Sequence, residues 1–217
     1  MKTRRILMSL SGVLIGAVSV GLFKVAALGV DPFQSLMSGL DKWIPISFGT
    51  LYVIVNLVLL IFSLLVDRSK IGLATFINLF LLGYVTEFSY AFFLTLLPDP
   101  SLPVRVICML IGAVVMCFGS ALYMTADLGV STYDAIAIAL AYKWKLASFR
   151  FCRISTDLIC VVLGCGIFLL AGGAWANVQA VAGVGTILCA FGMGPLIEYF
   201  NVTVARPMLR MDKEKAA

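Results

Sequence analysis

Long apolar runs separated by short polar segments dominate the chain. Three of the runs, residues 6–23, 48–66 and 106–126, contain no charged side chain. Two more, 71–97 and 178–204, contain one glutamate each, and a sixth covers about 154–171. Each run approaches or exceeds the ~20 residues that an α-helix needs to cross a bilayer. The pattern therefore predicts an all-α membrane protein with about six transmembrane helices.

The composition agrees with this pattern. Hydrophobic residues make up 62% of the chain and charged residues only 12%, whereas soluble domains carry about 25% charged residues. A soluble fold of this size would leave too much apolar surface in water, so the lipid bilayer is the predicted surrounding of the protein.

The distribution of Lys and Arg predicts the orientation. If the N-terminus is cytoplasmic, 13 of the 16 basic residues fall in the segments on that side, and the other three are Lys24, Lys42 and Arg105. Cytoplasmic segments are enriched in Lys and Arg, so we expect a multi-pass protein of a bacterial plasma (inner) membrane with both termini cytoplasmic. The net charge of +5 then follows from topology, and no nucleic-acid partner is expected.

An internal repeat organises the chain. Leu28-Gly29-Val30 recurs as Leu128-Gly129-Val130, and the later pair Glu87 and Glu198 matches at an offset of 111. We predict a single transmembrane domain over residues 1–217, with repeat 1 at about 8–97, repeat 2 at about 104–204 and a short basic tail at 205–217. Three crossings per half make the halves insert in opposite directions, as in many secondary transporters.

A break and a short helix should follow each Leu-Gly-Val segment. Asp31 suits an N-cap with Pro32 at the first helical position, and Ser131 with Asp134 has the spacing of a capping box. The predicted short helices cover about 33–40 and 133–142. They are either ordinary interfacial helices or broken helices around a wet cavity, where their free N–H groups would favour an anion or another polar group.

Candidate site residues come from these breaks and from the few polar residues inside the spans. We expect the two helix starts to converge on a central polar cavity. The predicted substrate-binding residues, all in or next to the breaks or in the spans, are Asp31, Phe33, Asn56, Ser131, Thr132, Tyr133, Asp134 and Asp157. Glu87 and Glu198 are candidates for proton or ion coupling, because ionisable groups in spans usually mark a pathway. Arg153 and Asp157, four residues apart, can form a local ion pair.

Other features argue against an enzyme. The chain has no histidine, which removes the commonest proton shuttle and metal ligand, and no phosphate loop, Rossmann fingerprint or zinc motif occurs. The six cysteines lack Cys-x-x-Cys spacing and suit small apolar fillers. We therefore predict no catalytic residues, no cofactor and no metal.

The twin segments, Leu28 to Phe33 and Leu128 to Asp134, together with Phe48-Gly49-Thr50 and Asn56, resemble the bacterial YczE-type (YczE/YyaS/YitT) membrane proteins. The resemblance covers about residues 11–200. It implies an Arg-x-x-x-acidic pair, here Arg153 and Asp157, and a Gly-x-Gly-Thr segment, matched by residues 183–186 but altered to Gly-Leu-Ala-Thr at 72–75. The family implies a bacterial plasma-membrane protein without an assigned substrate.

Two functions fit these features. The first is a transporter of a small polar or anionic solute by alternating access, as inverted repeats with broken helices favour. The second is a non-transporting membrane subunit or regulator, for example the substrate-binding component of a larger importer. Assembly with copies of itself, as a homo-oligomer, is left open.

Overall fold

A computed structural model describes residues 2–209, so residues 210–217 of the predicted basic tail lie outside the described part. The chain folds there into ten α-helices, without strands among these residues. The first half contains α1 (Lys2–Ala26), α2 (Pro32–Trp43), α3 (Phe48–Val66) and α4 (Leu73–Leu96). The second half contains α5 (Leu102–Ala126), α6 (Thr132–Ile138), α7 (Phe149–Leu170), α8 (Val178–Val181), α9 (Val184–Phe200) and α10 (Arg206–Leu209). Single 3₁₀ or π-helical turns join several of them.

The six predicted spans are confirmed as helices. Within the described residues, six helical segments are long and apolar enough to cross a membrane. Many large apolar side chains lie on the outside of this bundle, among them Leu170 (90% exposed), Leu65 (77%) and Phe191 (75%). Such a surface suits lipid rather than water, so the chain is a multi-pass α-helical membrane protein.

Helices α1 and α5 form the central antiparallel pair. Arg5 Nη1, near the start of α1, donates to the carbonyl oxygen of Ala126 at the end of α5, at 3.4 Å. In the matching position, Arg105 near the start of α5 donates to the carbonyl oxygen of Ala26 at the end of α1, at 2.6 Å. These reciprocal contacts mean that α1 and α5, the first helices of the two halves, run in opposite directions.

Small residues allow this pair to pack closely. A Cβ atom added at Gly12 would lie 2.6 Å from the carbonyl oxygen of Gly119, and one added at Gly119 would lie 2.8 Å from the carbonyl oxygen of Gly12. Lipid supplies no hydrophobic drive for helix association, so close backbone approach is a main source of stability here.

The two Leu-Gly-Val loops have matching conformations. Gly29 and Gly129 adopt φ of 108° and 110°, and the residues two positions earlier, Ala27 and Asp127, adopt 50° and 51°. Each loop docks on the other half, because the Leu28 carbonyl accepts from Gly185 N–H at 2.8 Å. The Leu128 carbonyl likewise accepts from Ala74 N–H at 2.9 Å. The matched geometry supports the predicted relation between the halves.

The short helices also pack across the halves. Helix α2 lies on α7, where Gly39 and Ser35 contact the backbone of Gly164, and α6 lies on α3 through a hydrogen bond from Thr132 to Asn56. Helix α3 packs against α4 in the first half. In the second half, by contrast, a 460 Å³ opening lies between α7 and α9.

Candidate functional site

A cavity of about 960 Å³ lies where the two halves meet. Its inner end is lined by residues of both helix breaks, including Asp31, Phe33, Ser131 and Tyr133. Its mouth is lined by residues 69–73 and 127–130, which belong to the predicted cytoplasmic side. The cavity therefore reaches from the centre of the bundle to one face.

Both short helices begin with the predicted caps. Asp31 Oδ1 accepts from Gln34 N–H at 3.2 Å, and Ser131 Oγ accepts from Asp134 N–H at 3.0 Å. Pro32 occupies the first position of α2. The caps satisfy these two amides, so the expectation that free N–H groups would favour an anion concerns the other amides of each first turn.

The helix starts converge as predicted. The rings of Phe33 and Tyr133 stack with centroids 4.9 Å apart and planes 22° apart. Tyr52 of α3 packs edge-on against Phe33, with centroids 5.9 Å apart. All three rings line the cavity, so an aromatic cluster closes its inner end.

A charged network covers the second-half side of the site. Arg153 of α7 pairs with Asp134 at the start of α6 and with Asp157 at 3.3 Å, one turn along its own helix. Asp157 also accepts from the Tyr133 hydroxyl at 2.6 Å. The Arg153–Asp157 pair confirms the prediction from their spacing, and Asp134 is a partner that the spacing did not indicate.

Asn56 joins the two halves at the same depth. It is 1% exposed, and its side-chain oxygen accepts from Thr132 while its amide donates to the Tyr52 carbonyl at 2.8 Å. Asn56 lines the cavity, whereas buried Thr132 supports Asn56 from behind and does not line it. Of the eight predicted binding residues, seven are therefore brought to one cavity.

The two predicted coupling residues lie elsewhere. Glu87 accepts from Gly49 N–H at 3.0 Å at the start of α3. Glu198 is exposed and pairs with Arg206 at 2.8 Å. Neither side chain lines the central cavity, so a coupling role at the solute site itself gains no support for either.

Sequence reasoning missed many cavity residues, among them Gln34, Tyr123 and Arg153. Gln34 and Tyr123 line the cavity, and their side-chain oxygens are buried without a hydrogen-bond partner in the described part of the chain. Arg153 was predicted only as an ion-pair partner of Asp157. A signal for Gln34 existed, because it stands within the first turn of a helix that begins at a break.

The comparisons with known proteins agree with this membrane fold. A family model described as "Family of unknown function (DUF6198)" matches residues 3–202. A Haemophilus influenzae protein named "Uncharacterized protein" is 29% identical over 206 residues, covering 87% of this chain and 85% of its own length. "Uncharacterized protein YyaS" of Bacillus subtilis is 25% identical over 202 residues, covering 93% and 94%. No solved structure matches the chain. The resemblance to YczE/YyaS-type proteins is confirmed.

Proposed function

This chain belongs to the DUF6198 family, and we propose that it is a secondary transporter that moves a small polar solute by alternating access. We place it in the bacterial inner membrane with both termini cytoplasmic, and we propose transport rather than catalysis as the role of the central cavity. The observation that carries the proposal is a difference between two matched glycines, Gly83 and Gly194, at the two ends of the bundle.

The halves can be aligned helix by helix. The N-caps Ser47 of α3 and Ser148 of α7 match at an offset of 101 and both accept from a backbone amide three residues on. The N-caps Gly72 of α4 and Gly183 of α9 match at an offset of 111, and each is followed by a threonine at the third helical position. By the second offset, Gly83 and Glu87 of α4 correspond to Gly194 and Glu198 of α9.

The first half is closed. A Cβ atom added at Gly83 would lie 2.6 Å from Tyr52 Cβ, so α3 and α4 are in backbone-level contact. The Tyr84 ring packs on Gly49, and Glu87 accepts from the Gly49 N–H at 3.0 Å. These contacts seal the predicted external end of the site.

The second half is open. A Cβ atom added at Gly194 would have no neighbour within 4 Å among the described residues. Glu198 accepts from Arg206 and Asn201, at 2.8 and 3.2 Å. The opening between α7 and α9 is lined by residues from the start of each helix, among them Phe149 and Thr186.

Helices α3 and α4 are in close contact, whereas the matched helices α7 and α9 are apart, and this difference favours alternating access. If α9 moved onto α7, Gly194 would take the role of Gly83 and Glu198 could cap the first turn of α7. Release of Glu87 from Gly49 would then open the other end. Rocking of two related halves about a fixed central site is a common mechanism of inverted-repeat transporters.

A second candidate is a binding subunit whose opening is permanent. It is favoured by Pro195, which stands where the first half has the closing ring of Tyr84. Such a subunit would present its cavity to one side only, so access to the cavity from both sides distinguishes the two candidates.

The test is labelling of a cavity cysteine from each side of the membrane. Ser120 lines the cavity, and Ser120→Cys changes its size little. We replace the six native cysteines with alanine or serine. Oriented vesicles are then treated with a membrane-impermeant maleimide. Transport predicts labelling of position 120 from both sides, whereas labelling from the cytoplasmic side alone would reject alternation.

Two further variants sharpen this test. Gly194→Leu fills the space that α9 needs in order to close, so we expect position 120 to lose labelling from the external side. Gly192→Leu is the matched control on the same helix, because a Cβ atom there meets only Leu188, at 3.9 Å. Equal labelling in both variants would contradict a role for the Gly194 space.

A further inference from the structure

We infer that the cavity selects a small organic cation with N–H donors, such as a protonated amine or a guanidinium compound. This inference rests on the proposed function, because it names the class of solute that the same site takes. It narrows the sequence-based expectation of a small polar or anionic solute to a cationic one.

The first observation is the charge of the lining. Four carboxylates line the cavity (Asp31, Asp127, Asp134 and Asp157) against two basic residues, Lys70 and Arg153. Arg153 is engaged by both Asp134 and Asp157, and Lys70 lies at the mouth. An anion at the inner end would therefore meet no free basic group there, and it would be repelled by Asp31.

Asp31 carries the uncompensated charge of the inner end. Its Oδ1 accepts one amide hydrogen bond from Gln34. No ion pair to Asp31 occurs among the side chains that the structure describes, which are those of residues 2–209 except Arg150. A carboxylate without a cation at this depth is costly, so a bound cation would stabilise it.

The second observation is independent of charge. Gln34 is 3% exposed, and its Oε1 is buried without a donor in the described part of the chain. It stands beside Asp31 at the inner end, where it lines the cavity. Leaving a buried acceptor unpaired is unfavourable. A ligand that brings N–H donors would pair with Asp31, and a rotation of the Gln34 amide toward the cavity would bring its Oε1 to the same ligand.

The aromatic lining fits the same class. Phe33 and Tyr133 stack at the inner end, and the Arg153 guanidinium already lies 4.6 Å from the Tyr133 ring centroid. Ring faces attract organic cations, and a ring cluster beside a carboxylate is suited to an ammonium or guanidinium group with an apolar stem. The ring cluster beside Asp31 therefore favours an organic cation. Among the described residues, no three carboxylate or cysteine side chains are grouped to hold a metal ion.

The experiment is a binding assay on the full chain in nanodiscs with ligands matched in shape but not in charge. The probes are three series, each with a cation and its uncharged or anionic counterpart: phenethylammonium, 2-phenylethanol and 3-phenylpropionate; butylammonium, butanol and butyrate; and guanidinium with urea. We expect only cations to raise the melting temperature and to bind in calorimetry. Binding of the carboxylates, or of no cation in the panel, would overturn the inference.

Two carboxylate variants provide the internal control. Asp31→Asn keeps a good helix cap but removes the charge, so we expect roughly a 10–100-fold loss of affinity for the bound cation, as for a lost charged hydrogen bond. Asp127→Asn removes the same charge at the mouth, where the Asp127 side chain is 84% exposed, and should change affinity less than about threefold. Equal affinity in wild type and Asp31→Asn would overturn the inference.

Gln34→Leu tests the second observation. It should lower the affinity for the same cation about tenfold, because it removes one acceptor. Unchanged affinity would show that Gln34 does not contact the cation. The Ser120→Cys labelling assay keeps the two proposals separate. Cation binding without two-sided labelling would reject transport alone, and two-sided labelling without cation binding would reject this inference alone.

Discussion

Phe33 of the first half stacks on Tyr133 of the second half with ring centroids 4.9 Å apart. The two residues follow the two Leu-Gly-Val breaks at an offset of 100. Each stands at the second position of its short helix, so the stack fixes where the two helix starts meet. This contact forms the inner end of the cavity and joins the two halves there.

A double-mutant cycle tests the stack. Phe33→Leu and Tyr133→Leu should each destabilise the protein, with a coupling free energy of about 0.5–1.5 kcal/mol between them, as for other aromatic pairs. Unfolding by SDS in mixed micelles gives the measurement. Tyr133→Phe is the control, because it keeps the ring while removing the 2.6 Å hydrogen bond to Asp157; the coupling should survive in it. A coupling free energy of zero would mean that the contact between the rings does not stabilise the protein.

Arg105 and Arg5, at matched positions in the two halves, should contribute unequally to stability. Arg105 donates to the Ala26 and Ala27 carbonyls at 2.6 Å each, and these groups at a helix end lack a helical partner. Arg5 makes one longer contact with Ala126, at 3.4 Å, and an ion pair with exposed Asp127. Arg105→Gln should cost about 1–3 kcal/mol, and Arg5→Gln less than about 1 kcal/mol. Equal losses in SDS unfolding would contradict the assigned contacts.

Topology can be measured directly. Ser69→Cys, in a cysteine-free background, should react with an impermeant maleimide only after the cells are permeabilised, because it lies between Arg68 and Lys70. Ser101→Cys, between α4 and α5, should react in intact cells. The reverse labelling pattern would mean that the proposed orientation is inverted. Labelling of both positions from the same side would contradict a single membrane crossing between residues 69 and 101.

The sequence predicted the parts of the site that depend on local rules. Apolar runs predict the spans, and the caps Asp31 and Ser131 follow from residue type and position, because a cap needs only the amides of its own helix. Arg153 and Asp157 are four residues apart on one helix, so their pairing also follows from spacing.

The remaining features depend on which helix meets which. Helix α2 packs on α7 of the other half, and no periodicity in either helix identifies its partner. Glu198 reaches Arg206, eight residues on, across the π-helical turn Asn201–Ala205, which departs from the regular helix that spacing assumes. Glu87 and Glu198 were paired by sequence, yet their partners differ, since Glu87 accepts from Gly49 of another helix and Glu198 from Arg206 of the next helix in the chain.

The most direct test of alternating access is a pair of distances measured by pulsed EPR in nanodiscs. Spin labels at Ile154 and Phe191 span the opening between α7 and α9. Labels at Val53 and Phe80 occupy the corresponding positions of α3 and α4. Alternating access predicts that the panel cation that binds best shifts the two distance distributions in opposite directions, with the first shortening as the second lengthens. Both distributions unchanged by every bound cation would contradict alternating access and leave a permanently open binding subunit.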